Sequence, residues 1–219
     1  MKKYFLSLLA SLVLGATSAY AVPIVLDFEG LDNQEAIQDF YNGGTSQNGN
    51  VGTDFGVSFS NNTLALIDAD AGGSGNFGGE PSPDTAMFFL TGANAFMNVA
   101  AGFDTGFSFF YTAVNNPGSV DVYDGINGTG NLLASLFIPI TPSDGGDPNG
   151  QFSPFFAIGI AFSGIAKSVS FAGVQNQIAF DDITFGSSTP GNPVPEPATL
   201  ALLGLGLAGI GYSRKKKKA

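Results

Sequence analysis

The residues of this chain that can do chemistry are almost all carboxylates. Eighteen are Asp or Glu, against eight Lys or Arg, with no His and no Cys. The absences exclude more than the acids admit. Without His there is no imidazole general base, no Ser-His or Cys-His nucleophile pair and no imidazole zinc site. Without Cys there is no thiolate and no disulfide, so the chain must fold on burial alone. Carboxylates by themselves offer two chemistries. They bind hard cations through oxygen, or they hydrolyse glycosides as a pair ~5–9.5 Å apart in a cleft.

The charges are distributed unevenly. Lys2, Lys3, Arg214 and the four lysines 215–218 sit at the two ends, which leaves Lys167 alone in the body. Glu196 is the one acid outside the body, so seventeen acids face one base there and the net charge is −16. Such a polyanion excludes nucleic acid as a partner, because phosphates need Lys and Arg. It attracts cations instead. Asp68-Ala69-Asp70, followed by Gly72 and Gly73, has the look of a calcium loop but lacks the bidentate Glu of an EF-hand. We read it as a flexible acidic loop. The glycine-rich stretch 72–79 is followed by no Lys-Ser/Thr pair, so it is no phosphate loop. Lys167 reads as a surface charge rather than half of a Ser-Lys dyad. There is no Trp, so a sugar-stacking face would have to cluster Tyr41, Tyr111 or Tyr123.

The elements that must position these groups read as strands. Short apolar stretches alternate with Gly, Asn, Asp and Pro clusters, and helical periodicity is scarce. The pattern predicts an all-β, antiparallel β-sandwich. Its expected strands lie at 24–29, 56–60, 64–68, 85–90, 95–100, 106–111, 119–123, 132–137, 155–162, 167–171 and 177–185. The stretch 119–137 predicts a hairpin around Asp124-Gly125-Ile126-Asn127-Gly128. One helical turn is expected at 35–41, and long loops at 70–83 and 141–150. The twenty-one Phe are the expected core filler. On a first strand Asp27 and Glu29 share a face, opposite Ile24, Leu26 and Phe28. On the last, Phe180 and Ile183 cannot both point inward under strict alternation. A bulge at Asp181-Asp182 would reconcile them and turn one carboxylate aside.

Both ends read as addresses. Lys2 and Lys3, the apolar run 4–15 and the small-x-small site Ala19-Tyr20-Ala21 make residues 1–21 a Sec-type signal peptide, with Val22 the expected mature start. This implies the Sec translocon and signal peptidase as partners. At the other end, 187–193 is a polar linker, followed by Val194-Pro195-Glu196-Pro197. A fifteen-residue apolar run, 198–212, comes next and then a basic tail. As a helix the run spans ~22 Å, short of a ~30 Å bilayer core. The cations place its end in the cytoplasm.

This order closely resembles the PEP-CTERM sorting signal, here over 194–219. The resemblance implies recognition by exosortase, an integral-membrane Cys-dependent transpeptidase of polysaccharide-producing Gram-negative bacteria. It implies a transient inner-membrane anchor and cleavage near the Pro-Glu-Pro motif. The body would then pass to the cell-envelope surface or extracellular matrix. The family's tails are typically Arg-rich, whereas here Arg214 precedes four lysines. The tail names a route and not an activity.

The two ends of the body carry a second resemblance. "VLDFEG" and "NQIAFDDITFG" are similar to the first and last strands of jelly-roll modules of the MAM and galactose-binding-like types. In many of these the two strands are neighbours and hold a structural Ca²⁺. The resemblance implies one Ca²⁺ among Asp27, Glu29, Asp181 and Asp182. Ca²⁺ takes six to eight oxygens at ~2.3–2.6 Å, which such a set begins to supply. The other reading is that these acids are solvated strand ends. The expected function is a non-catalytic exported protein of surface or matrix that binds carbohydrate, with exopolysaccharide as partner. The alternatives are a secreted hydrolase using an Asp/Glu pair and a purely structural matrix or adhesion protein.

Overall fold

The computed structural model describes residues 23–91, 95–145 and 150–191. The expected signal peptide with Ala19 and Ala21, the motif Val194–Pro197 and the expected C-terminal helix lie outside the described residues. Among the described residues no helix is long and apolar enough to cross a membrane.

Each of the eleven expected stretches holds one strand. They are β1 (Ile24–Leu26), β2 (Val57–Phe59), β3 (Thr63–Ile67), β4 (Thr85–Phe89), β5 (Ala95–Phe103), β6 (Gly106–Thr112), β7 (Gly118–Tyr123), β8 (Leu132–Ile138), β9 (Phe156–Ala161), β10 (Ala166–Gly173) and β11 (Ala179–Phe185). They form two antiparallel sheets, a β-sandwich of the jelly-roll class. The first runs β3-β4-β11-β6-β9, with β1 also paired to β11, and the second runs β2-β5-β10-β7-β8. The hairpin β7–β8 forms where it was expected.

Alternation explains the second sheet. Ala95, Met97 and Val99 of β5 and Val120 and Val122 of β7 are buried, while the residues between them are partly exposed. The two inner faces meet in one core. Phe180 lies at its centre, with ring centroids 5.0 Å from Phe171, 5.3 Å from Phe109 and 6.3 Å from Phe89. Such tilted and edge-on pairs add to simple area burial.

The first sheet breaks alternation, because it is covered on both faces. Every residue of β4 and β11 is buried. On the outer face Phe77, Ala86, Phe155 and Ala179 make a second apolar cluster, with Leu66, Phe110 and Phe152 packed against it. The loop expected to be a flexible acidic arm supplies Phe77, only 2% exposed. It is pinned by bridges Asp68↔Gly75 and Phe77↔Phe152. An apolar ring inside a Gly-rich stretch gives that loop something to bury, and so it folds back onto the sheet.

Three further expectations need correction. The stretch 35–41 forms no helix. Gln38 sits in the left-handed region at φ 49°, so the Phe40 N–H reaches only the Ile37 carbonyl, at 3.1 Å, in an isolated turn. Likewise β1 stops at Leu26, because Phe28 turns left-handed at φ 61° and ends the extended run. The expected linker begins in contact with the body. Ser108 Oγ donates to the Ser187 carbonyl at 3.0 Å. A Cβ on Gly106 or Gly159 would strike the backbone of Ser188. Those two positions are therefore glycine because the backbone passes over them.

Candidate functional site

Two places merit attention, and β11 runs into both. The first is where β11 changes neighbours. Its start pairs β4 through Phe180↔Met87, and its end pairs β1 through Leu26↔Ile183. Between them lies Asp181-Asp182. On the β6 side Asp181 faces Phe110 and Thr184 faces Ser108, so β11 carries one residue more than its partner. That is the bulge expected from the sequence. Asp182 occupies it at φ 46°, and Phe180 and Ile183 both enter the core, each fully buried.

The bulge leaves two carboxylates indoors, Asp181 at 0% and Asp182 at 4% exposure. Asp181 holds the end of the 70–83 loop. It accepts from the Ser82 N–H at 3.0 Å and from the Asp182 N–H at 2.7 Å, and it lies 2.8 Å from Ser82 Oγ. Ser82 Oγ also lies 3.1 Å from the Asp27 carbonyl oxygen. A hydroxyl has one proton to give. If Asp181 is protonated, its O–H donates to Ser82 Oγ and the serine donates to Asp27. If Asp181 is ionised, the serine must abandon one of them. The electrostatics favour the first arrangement. Burial pushes the Asp181 carboxyl up to about 8, against the pull of its Ser82 hydrogen bonds and with a further push from Asp182. Burial raises Asp182 to about 6, with Asp27 and Glu29 adding repulsion.

The other two acids stand at the rim. Asp27 is exposed, and its Oδ1 accepts from Tyr41 Oη at 3.3 Å. Glu29 Oε1 accepts from the N–H groups of Asp84 at 3.0 Å and Thr85 at 2.9 Å. Thus the structure gathers Asp27, Glu29, Asp181 and Asp182 into one region. They do not converge on a point. Among the described residues no three acids form a group that could hold a metal ion, and Asp181 and Glu29 already spend oxygens on N–H donors.

Glu35 is buried as well, at 1% exposure. Burial works against its charge, but Ser46 Oγ, the N–H groups of Asp32 and Asn48, and Asn50 Nδ2 outweigh burial and hold its carboxyl below the usual range. A carboxylate so fully used is a staple for the 32–50 turns, not an acid poised for catalysis.

Tyr41 and Tyr111 are not available to a sugar face. Tyr41 and Tyr111 are each 3% exposed. Tyr41 Oη accepts from the Phe28 N–H at 2.7 Å, and burial first, then Asp27, lifts its hydroxyl well above the usual range. Tyr111 donates to the Pro139 carbonyl at 3.2 Å. Both belong to the core.

The second place is a cleft of about 430 Å³ on the outer face of the first sheet. Leu66, Phe77, Phe88 and Phe152 give it apolar walls, and Gln34, Asn76, Asn115, Gln151, Asn176 and Gln177 present carboxamides. Among the described residues that line it, none carries a charge. The amides are held in place by one another. Asn115 and Asn116 Nδ2 both donate to Gln177 Oε1 at 3.3 Å, Gln177 Nε2 donates to the Asn176 carbonyl at 2.7 Å, and Asn76 Oδ1 accepts from the Gln151 N–H at 3.0 Å. Sequence reasoning missed this cleft. Its polar residues are scattered from 34 to 177, and no local pattern announces that they meet.

Residues 193–216 match the PEP-CTERM protein-sorting motif, so the chain carries the C-terminal sorting signal of an exported protein. No curated protein matches the chain. Several solved structures are distantly similar to it. CsCBM6-3 from Clostridium stercorarium, determined in complex with cellobiose, is 12% identical at a TM-score of 0.38, over 75% of this chain and 94% of that one. The carbohydrate-binding module CBM6cm-2 from Cellvibrio mixtus lichenase 5A, in complex with cellotriose, is 11% identical at 0.36, over 75% and 97%. A family 43 arabinoxylan arabinofuranohydrolase from Bacillus subtilis is 17% identical at 0.37, over 59% of this chain and 26% of that one.

Proposed function

We propose that this chain is an exported, non-catalytic surface or matrix protein. The Sec translocon and signal peptidase bring it across the inner membrane. An exosortase-type transpeptidase then releases its body, which binds carbohydrate. The observation that carries the route is the sorting motif, which follows a folded β-sandwich after a few polar residues. The cleft supports binding rather than turnover. A hydrolase needs two facing acids, and the described residues of this cleft offer amides and rings in their place.

One structural Ca²⁺ belongs to the same reading, at Asp182 with Asp27 or Glu29. Its support is the charge arrangement. Asp182 is buried, is raised to about 6 and is repelled by two neighbouring acids. A divalent cation removes that repulsion, and when bound it would tie β1 to β11.

Intact-mass analysis of the exported protein tests the route. We expect a chain that begins at Val22 and lacks Arg214 to Lys218. A mature form that retains 212–219 would refute release and leave a membrane-anchored protein.

A further inference from the structure

We infer that the amide-lined cleft on the outer face of the β3-β4-β11-β6-β9 sheet is the ligand site, and that its ligand is an uncharged saccharide. This rests on the carbohydrate-binding reading above and gives it a location and a ligand class.

Charge comes first. The body carries −16, so an anionic sugar approaches against a repulsive field. On arrival it would meet no cation among the described lining residues. A cationic ligand would gain from the field but would find no carboxylate in the cleft to pair with. A neutral ligand is the class that neither argument penalises.

Hydrogen-bonding capacity comes next. Each carboxamide offers two N–H donors and an oxygen with two lone pairs. A sugar hydroxyl both donates and accepts, so an amide can serve either half of a vicinal diol. The internal bonds already described use only part of this capacity, and they fix the amides in advance. Gln177 is gripped by Asn115 and Asn116, and Gln34 Nε2 donates to Ser74 Oγ at 2.9 Å. Preorganised polar groups lose less on binding than mobile ones.

The backbone supports the same placement. Gln34 and Asn176, which both line the cleft, adopt left-handed conformations, at φ 60° and 56°. Left-handed non-glycine residues persist where surrounding structure holds them, and they cluster at ligand sites. The Asn176 N–H is anchored to the Phe89 carbonyl at 2.9 Å, which holds that turn against β4.

The apolar part fits a sugar better than it fits a peptide. Phe152 is half-buried and Leu90, at the rim, is 47% exposed, so C–H faces of a pyranose can lie against them. An extended peptide would look for an open strand edge to pair with. The cleft is floored by side chains from the face of β3 and β4; β4 is an interior strand, and the outer edge of β3 is already taken by residues 34–37, through Gln34 N–H to the Ala65 carbonyl at 2.9 Å and Ala65 N–H to the Glu35 carbonyl at 2.8 Å.

The test is calorimetric titration of the full-length chain in mild detergent with cellohexaose, mannohexaose, maltohexaose, hexagalacturonate and a Gly-Ser decapeptide. We expect at least one neutral hexasaccharide to bind, and hexagalacturonate and the decapeptide to bind at least tenfold more weakly. Asn115→Ala and Gln151→Ala, both at exposed side chains, should each weaken the neutral sugar at least tenfold with Tm unchanged. Tyr123→Phe, on the opposite sheet, should bind as wild type. Shifts of side-chain amide resonances in the wild-type protein on adding that sugar give a readout that needs no variant. If a neutral sugar binds but both variants match wild type and no Asn or Gln side-chain resonance moves, the cleft is the wrong place and the carbohydrate reading stands. If no sugar binds, both fall. Tighter binding of hexagalacturonate or of the decapeptide overturns the ligand class.

Discussion

Asp181→Asn is the sharpest probe of the buried acids. The structure places Asp181 at 0% exposure with its carboxyl raised to about 8. In the unfolded chain an Asp titrates near ~3.9. Between these values the folded state holds a proton that the unfolded state has lost. Stability therefore falls as pH rises across that window, by ~1.4 kcal/mol per unit for one proton. Asp182, raised to about 6, adds a second proton over the lower half of the window. From pH 4 to 7 the Asp181 contribution alone reaches ~4 kcal/mol, a large share of the ~5–15 kcal/mol that holds a typical domain together. Asn mimics the protonated acid. Its oxygen accepts from Ser82 or Asp182 N–H, and its amide donates to Ser82 Oγ. Thermal melts in metal-free buffer with EDTA, from pH 5 to 8, should show the wild-type Tm falling with pH. The variant should fall less steeply and should melt higher than wild type at pH 7 by up to ~8–16 °C, taking ~2–4 °C per kcal/mol. A wild-type Tm that is flat across this range, or an Asn variant that melts lower at every pH, would show that Asp181 is ionised in the fold.

The remaining predictions concern the ion, the core and the linker. Ca²⁺ at a hundredfold excess over its Kd should stabilise the wild type by ~2.7 kcal/mol, seen as a Tm rise that EDTA reverses and Mg²⁺ reproduces poorly. Asp182→Asn should remove this response and Asp70→Asn should not; an unchanged wild-type Tm in EDTA would exclude the site. Phe180→Ala removes the ring at the centre of the core and should cost ~3–5 kcal/mol, read as a lower denaturant midpoint with an unchanged slope. Gly159→Val forces a side chain into the Ser188 backbone and should expose 187–189 to limited proteolysis while the sandwich resists; an unchanged cleavage pattern would show that the linker does not dock there.

What the sequence revealed depended on whether the signal was local. The strands were legible because each carries its own apolar stretch and its own turn residues. The bulge was legible because Phe180 and Ile183 are an odd number of positions apart and both are too apolar for solvent. Tyr41 misled because nothing local says that the turns at 37–42 tuck under Phe28. The helical turn at 35–41 failed for a backbone reason, the left-handed Gln38, which side-chain pattern does not encode. The acid cluster was legible as a pairing of the first and last strands, but not the use of Asp181 to hold Ser82, which lies far from it in sequence. The cleft was invisible for the same reason. Its amides become neighbours only after the 70–83 loop has folded back over the sheet.

The position of β11 has a consequence for the order of events during export. The last strand of the sandwich is also an interior one, paired with β6 on one side and with β4 and then β1 on the other. Until it arrives the first sheet has a gap through its middle, and β1 has no partner at all among the described strands. The pairing of Leu26 with Ile183 closes almost the whole body as one loop, and such long-range closures come late in folding. A chain threaded across a membrane amino end first therefore cannot complete this sandwich until β11 emerges. β11 lies only a few residues ahead of the sorting motif. On the proposed route, then, the sandwich closes only as the sorting motif emerges, and a transpeptidase acting on that motif would meet a body that has just snapped shut beside it.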